Sequence, residues 1–222
     1  MGKGYARSTV LAILMLVLMP AKAWGDVFIG PRIGTLGVGG EVGVTFTDFF
    51  KLRGVVQGLG LTLDGESVGD VEYDFGMDLL TAGAILDFHP LGISPVGGSF
   101  RLSAGVFYNG NSFDLTSRPS KPVNVGGTTY QPNEVGRLDA DVEFNPIAPY
   151  VGLGWGTSPG LLPIDFTVDL GVLYQGSPSV DLRSTNNQIS AADLKREERD
   201  MEDDLSSWAW YPVIMLGVAF TF

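Results

Sequence analysis

A chain of 222 residues without cysteine has no disulfide framework, no thiolate metal site and no lipid-modified N-terminal cysteine, and at this length one domain is the default. A formal charge of −11 excludes nucleic acid as a partner, since a phosphate backbone is bound by an excess of Lys and Arg. Only 18% of residues are charged and mean hydropathy is +0.19, an odd pairing for an acidic soluble protein, so apolar surface is being accommodated somewhere.

The first segment reads as a secretory signal peptide over residues 1–23. Lys3 and Arg7 precede an apolar run from Val10 to Met19, then Pro20 and the small-x-small site Ala21-Lys22-Ala23. The run is about ten residues, against the roughly 20 that a bilayer-spanning helix needs. Cleavage after Ala23 removes Lys3, Arg7 and Lys22 and no acidic residue, so residues 24–222 are more acidic still.

From there a period of two runs through the chain. A first strand is expected near Val27 to Leu36, turned by a tight hairpin at Gly37 to Gly40. Val42, Val44 and Phe46 alternate with Glu41, Gly43 and Thr45; Thr47-Asp48-Phe49 makes a turn, and a further strand runs from about Phe50 to Leu63. Between Val71 and Phe88 the apolar parity is Val71, Tyr73, Phe75 and Met77, then, after a slip at Leu79-Leu80, Ala82, Ala84, Leu86 and Phe88; a slip of one is what a β-bulge does. Phe100, Leu102, Ala104, Val106 and Tyr108 alternate with Arg101, Ser103, Gly105, Phe107 and Asn109. Asp141 to Trp155 is interrupted by Pro146 and Pro149, each lacking a ladder donor, which predicts a strand bulged near Pro146.

Ile164, Phe166, Val168, Leu170, Val172 and Tyr174 share one face and Asp165, Thr167, Asp169, Gly171, Leu173 and Gln175 the other. Two inward aspartates on one strand do not suit a soluble core but are ordinary in a barrel with lipid outside and a polar inside. The last strand, Trp208 to Phe222, places Trp208, Trp210, Pro212, Ile214, Leu216, Val218, Phe220 and Phe222 on one parity.

Turns at Thr47-Asp48-Phe49, His89 to Gly98 and Thr157 to Pro163 are short or Pro/Gly-rich, whereas Gly65 to Asp70, Arg118 to Asp139 and Thr185 to Asp204 are mostly longer and charged. Short periplasmic turns and long outer loops are the outer-membrane arrangement. The expected fold is all-β, an antiparallel transmembrane barrel of about eight strands, with ten as the alternative. The terminal Phe222 resembles the C-terminal signal read by the barrel-assembly machinery of Gram-negative bacteria. The expected partners are therefore that machinery, outer-membrane lipid and lipopolysaccharide, with the barrel a monomer.

About eight strands leave an interior only just wide enough for side chains to fill. The charged residues expected there, toward the periplasmic half, are Arg32, Glu41, Arg53, Asp87, Arg101, Asp165 and Asp169. They would form either an ion-pair network that plugs the barrel or a cation-preferring passage lined by surplus carboxylates. Inward Gly43, Gly83, Gly105, Gly171 and Gly217 would leave room for a solute or permit the bends that close a small barrel. From Ser190 to Leu205, Ser190 and Asp193 have capping-box-like spacing, and Leu194, Met201 and Leu205 fall on one helical face. This segment reads as a charged solvated loop or as a short helix at the extracellular mouth that repels anions and favours cations.

Outer-membrane hydrolases need a histidine near a nucleophile or water at the outer end. The single histidine, His89, sits beside Pro90 in a predicted periplasmic turn without a Ser or Asp partner fixed by spacing. No catalytic residue, cofactor or metal is assigned.

Ile147-Ala148-Pro149-Tyr150-Val151-Gly152-Leu153-Gly154-Trp155, Gly171 to Leu182, and the acidic segment running into Trp210-Tyr211-Pro212-Val213 resemble, in order, the carbapenem-associated outer-membrane protein (CarO) family, also described as ornithine porins. Gly34 to Gly43 and Phe100 to Asn111 look like a broader group of small proteobacterial outer-membrane proteins. The motifs are strand and turn residues. The resemblance implies an eight-stranded outer-membrane barrel and slow passage of small solutes such as basic amino acids, without identifying a binding residue. The functional expectation is a porin-like barrel for cationic or zwitterionic solutes; the alternative is a non-conducting barrel for structure, adhesion or interaction.

Overall fold

The structure is a computed structural model that describes residues 26–68, 71–93, 99–157, 163–186 and 188–222. The expected signal peptide lies outside these residues. Strand formation follows the alternation: β1 (Val27–Gly34), β2 (Gly37–Thr47), β3 (Phe50–Val68), β4 (Val71–Phe88), β5 (Ser99–Asn109), β6 (Ser112–Pro119), β7 (Val123–Val125), β8 (Thr128–Tyr130), β9 (Leu138–Glu143), β10 (Ile147–Thr157), β11 (Ile164–Tyr174), β12 (Ser179–Ser184) and β13 (Trp210–Thr221). Among the described residues two α-helices, α1 (Pro132–Val135) and α2 (Ala191–Asp204), and a 3-10 helix at Ser206–Ala209 interrupt them. No described helix is long and apolar enough to cross a membrane; this chain crosses with strands.

Eight antiparallel strands close a barrel in the order β1, β2, β3, β4, β5, β10, β11, β13, with β13 returning to β1. Closure leaves no sheet edge within the lipid, the condition for a sheet to span a bilayer. Outward residues are exposed and apolar: Ile29 and Ile33 on β1, Leu52 and Val56 on β3, Val151 and Leu153 on β10, and Leu170 on β11. Aromatic rings border the band, Phe46, Phe88, Trp155, Phe166 and Phe220 below and Tyr108, Tyr174 and Trp210 above, as at the two interfaces of an outer-membrane barrel.

Above the upper ring the wall continues on one side only. β6 extends the line of β5 against β4, and β9 extends β10 against β6. β12 then pairs with β9, so β3, β4, β6, β9 and β12 form an open sheet outside the membrane. At this level the faces exchange character. Inward residues become apolar (Phe75 and Met77 on β4, Phe113 and Leu115 on β6, Val142 on β9, Leu182 on β12), and the outward ones become polar (Asp74, Asp78, Asp114, Asp141, Glu143). Helix α2 and the β7–β8 hairpin cover part of the apolar side, burying Val125, Val135, Ala140, Leu182 and Ile189.

Three local expectations need correction. The first hairpin turns at Thr35 and Leu36; Gly37 to Gly40 belong to β2, where Gly39 faces Val56 so closely that a Cβ would strike its backbone. The Leu79-Leu80 slip is no bulge, because β3 and β4 keep one register from Phe50 opposite Phe88 to Leu63 opposite Phe75. It marks the level at which lipid gives way to water outside the wall. Around Pro146 the ladder lapses between β9 and β10, yet both pair in one register with β6 and β5, so the break inserts no residue.

Candidate functional site

The lumen is filled in layers. Arg32 on β1, Glu41 on β2, Arg53 on β3, Asp87 on β4, Arg101 on β5 and Asp169 on β11 meet at one height, each no more than 5% exposed. Arg53 Nη1 donates to Glu41 Oε2 and Asp169 Oδ2, both at 3.1 Å, and Arg53 Nη2 to Asp87 Oδ1 at 2.9 Å. Arg101 Nη2 donates to Asp169 Oδ1 at 2.6 Å, Arg32 Nη1 to Glu41 Oε2 at 3.1 Å, and Arg32 Nη2 also to Asp169. Ser103 Oγ adds a 2.6 Å hydrogen bond to Asp87. Three guanidiniums thus face three carboxylates, a balanced arrangement in which each buried charge has an opposite partner. Gly154 makes it fit, since a Cβ there would lie 2.6 Å from Asp169 Oδ1. Asp165, expected with these six, lies below them in a separate vestibule.

Above the ions Leu36, Val55, Ile85, Phe107, Tyr150, Leu173, Val213 and Met215 pack into one buried cluster. Phe107 and Tyr150 meet edge to face with centroids 5.6 Å apart. The space for these rings is provided by inward glycines: a Cβ on Gly83 would lie 2.6 Å from the Phe107 ring, and one on Gly171 2.5 Å from that of Tyr150. The room once assignable to a solute is therefore taken by aromatic side chains. An amide layer closes the top, where Gln175 Oε1 accepts from Asn111 Nδ2 at 3.3 Å and Gln175 Nε2 donates to the Trp208 carbonyl at 3.0 Å.

The periplasmic vestibule has a volume of about 370 Å³ and is lined by Asp26, Asp48, Lys51, His89, Ser99 and Asp165, with Arg53 and Arg101 reaching into it from the ion layer. Lys51 lies over the Phe28 ring at 5.4 Å. His89, just beyond β4, is 1% exposed. Its Nδ1 lies 2.5 Å from Ser99 Oγ, so it does have a serine partner, one that sequence spacing did not expose. Burial pushes the imidazole down to about 4, with Lys51 adding to the shift, and it is neutral at pH 7.

At the opposite end α2 starts at Ser190, whose hydroxyl accepts from the Asp193 N–H at 3.1 Å. Four of its seven acidic residues are occupied with neighbours. Glu197 accepts from the Gly126 N–H, Glu198 from that of Leu182 and Glu202 from that of Val180, at 2.7, 3.2 and 3.1 Å. Asp193 accepts from the Tyr130 hydroxyl at 2.7 Å; this bond and the one from Ser190 hold its carboxyl below the ordinary range. At the chain's end, the Phe222 N–H donates to the Val27 carbonyl at 2.8 Å, and the side chain is exposed.

The six ion-layer residues lie on the inward parity of their strands. Sequence reasoning did not single out Lys51, which shares that parity with Arg53, nor Asn111, which lies between two strands; Asn109 and Gln175 of the amide layer do fall on the inward sets of their strands. No protein-family model matches the chain, and no curated protein sequence does. Among solved structures, CarO2 of Acinetobacter baumannii superposes with a TM-score of 0.63 at 24% identity, covering 90% of this chain and 100% of that one. CarO of the same organism superposes with a TM-score of 0.60 at 23% identity, over 88% and 97%. The shared feature is the fold, a small outer-membrane β-barrel.

Proposed function

We propose that this outer-membrane barrel is closed, and that its role lies in the module it holds above the membrane rather than in its lumen. The observation that carries the reading is the continuity of the filling: an ion layer, an aromatic and aliphatic layer and an amide layer stack along the barrel axis, each made of side chains from strands all round the wall. Moving a solute through would require breaking paired charges in a dry interior, which costs several kcal/mol per ion. On this reading the acidic helix α2 is a structural clamp on the outer sheet, its glutamates spent on the backbone of β12 and of the β7–β8 turn.

Passage of small cationic or zwitterionic solutes is the competing reading, and the vestibule supports it: five carboxylates, Asp26, Glu41, Asp48, Asp87 and Asp165, line it against Lys51, Arg53 and Arg101. A solute entering there still meets the ion layer as its floor. Proteoliposome swelling with lysine, glycine and glutamate tests the choice. The closed barrel predicts rates equal to those of protein-free liposomes for all three, and lysine-selective swelling would overturn it.

A further inference from the structure

The outer sheet has two edges, and they are finished differently. At β12 the N–H groups of Val180 and Leu182 are taken by Glu202 and Glu198 of α2, and the helix lies along the strand. At β3 nothing comparable stands among the described residues. β2 ends opposite Gly58, and the β1–β2 turn rises no higher, so from Leu59 to Leu63 the strand pairs with β4 alone. Every second residue of such a strand directs its N–H and C=O away from the sheet, toward water.

The side chains on this stretch also lack cover. Leu59, Leu61 and Leu63 face inward at 39%, 46% and 51% exposure. They stand above the lipid-facing band and extend the apolar rows Leu63, Phe75, Leu115 and Leu61, Met77, Phe113. On the outward side of the edge lie Gly60 and Thr62. The Asp78 carboxylate lies so close beside Gly60 that a Cβ there would come within 3.1 Å of it, and Asp114 follows one strand further in the Thr62 row. Asp74, Asp139 and Asp141 on this outer face each have an arginine within 4.0 Å, whereas none pairs with Asp78 or Asp114 among the described residues. Burial and a hydrogen bond with Asp141 push the Asp114 carboxyl above its ordinary range, as expected of an acidic patch short of cations.

We propose that the β3 edge from Leu59 to Leu63 receives an extended, cationic, amphipathic peptide segment as an added antiparallel strand. Main-chain hydrogen bonds to β3 supply the affinity, apolar side chains of one parity cover the three leucines, and Lys or Arg of the other parity lie across Gly60 toward Asp78 and Asp114. The proposal deepens the surface reading above and rests on it only for orientation, since peptide binding at the edge and solute flux through the lumen are measured separately.

The test uses the full barrel refolded in phosphatidylcholine nanodiscs, which carry no net lipid charge, and fluorescently labelled synthetic peptides followed by anisotropy. An alternating Lys-Val peptide of about eight residues is expected to bind saturably, and about tenfold more tightly than its Glu-Val counterpart or a Lys-Val peptide with one central Pro, which keeps most of the charge but loses a backbone donor. Leu61→Lys, which puts an inward charge on the edge, is expected to weaken binding by about tenfold, and Asp78→Asn to narrow the preference for Lys over Glu. Equal binding of the Pro-containing peptide would reduce the effect to charge adsorption and overturn the proposal. That comparison needs no variant of the barrel, so a misfolding Leu61→Lys protein does not blunt it. Saturation of the edge by a second copy of the chain, seen as a Thr62→Cys disulfide dimer that excludes the peptide, would also overturn it.

Discussion

Replacing Asp169 by Asn removes one charge from a cluster whose members are all buried. In the parent, Asp169 accepts from Arg53 at 3.1 Å and from Arg101 at 2.6 Å, and also from Arg32. The variant keeps three guanidiniums but only the carboxylates of Glu41 and Asp87, leaving one buried positive charge without its counterpart. Breaking a buried pair from one side costs about 3–5 kcal/mol. An amide can still accept one of the lost hydrogen bonds, so the lower end, about 3 kcal/mol, is the expected loss. The control is Asp165→Asn in the vestibule, where the carboxylate is partly exposed and, among the described residues, pairs with none of the arginines above it; its expected cost is under about 1 kcal/mol. Both are measured by guanidinium unfolding in lipid vesicles, followed by tryptophan fluorescence and by the heat-modifiable gel mobility of folded barrels. Equal stability of the two variants would refute the reasoning, because a solvated, conducting ion layer is what would make Asp169 as dispensable as Asp165.

The packed middle layer predicts that Phe107→Ala and Tyr150→Ala each lower stability by about 3–5 kcal/mol, since each truncation empties space that Gly83 and Gly171 keep open; unfolding in lipid vesicles reads the loss. His89 has a folded value of about 4 against an ordinary 6.5, so its neutral form is favoured by folding: its contribution is complete above 6.5 and is lost as pH falls toward 4. Stability of the parent should therefore drop by about 1–2 kcal/mol across that window, and His89→Gln should flatten this part of the pH profile. Asp193, held below the ordinary carboxylate range, contributes above that range and loses its contribution as pH falls through its lowered value; protease cleavage within residues 185–205 should accelerate in acid, and less so in Asp193→Asn. Glu198→Gln with Glu202→Gln should loosen α2 from β12 by about 1–2 kcal/mol, seen as faster amide exchange at Val180 and Leu182.

The barrel was legible because lipid outside and side chains inside impose opposite demands on successive residues. Ile164 to Gln175 states both on one strand, and Asp169 could be placed inward from its parity alone. The same rule misled at Leu79-Leu80, where a reversal of parity looks like an inserted residue. The register is unbroken there; what reverses is the surroundings, as water replaces lipid outside and the apolar side turns toward α2 and the barrel axis. Three strand lines carry this reversal near one height, at Leu80, Tyr108 and Ile147, which makes it a marker of the membrane boundary. The filling of the lumen was not legible, because it depends on which strands pair and in what register: Tyr150 reaches Gly171 on the neighbouring strand, and Arg53 reaches Asp169 across the barrel from far away in sequence. Nor could spacing show that Glu198 and Glu202 would be spent on β12, since their helical interval fits a solvated face equally well.

Single-channel recording of the refolded chain in a planar bilayer tests the closed lumen most directly. With the ion, aromatic and amide layers in place, the protein should insert without conductance steps from low to molar salt. Stable, cation-selective steps from the unmodified chain would contradict the account.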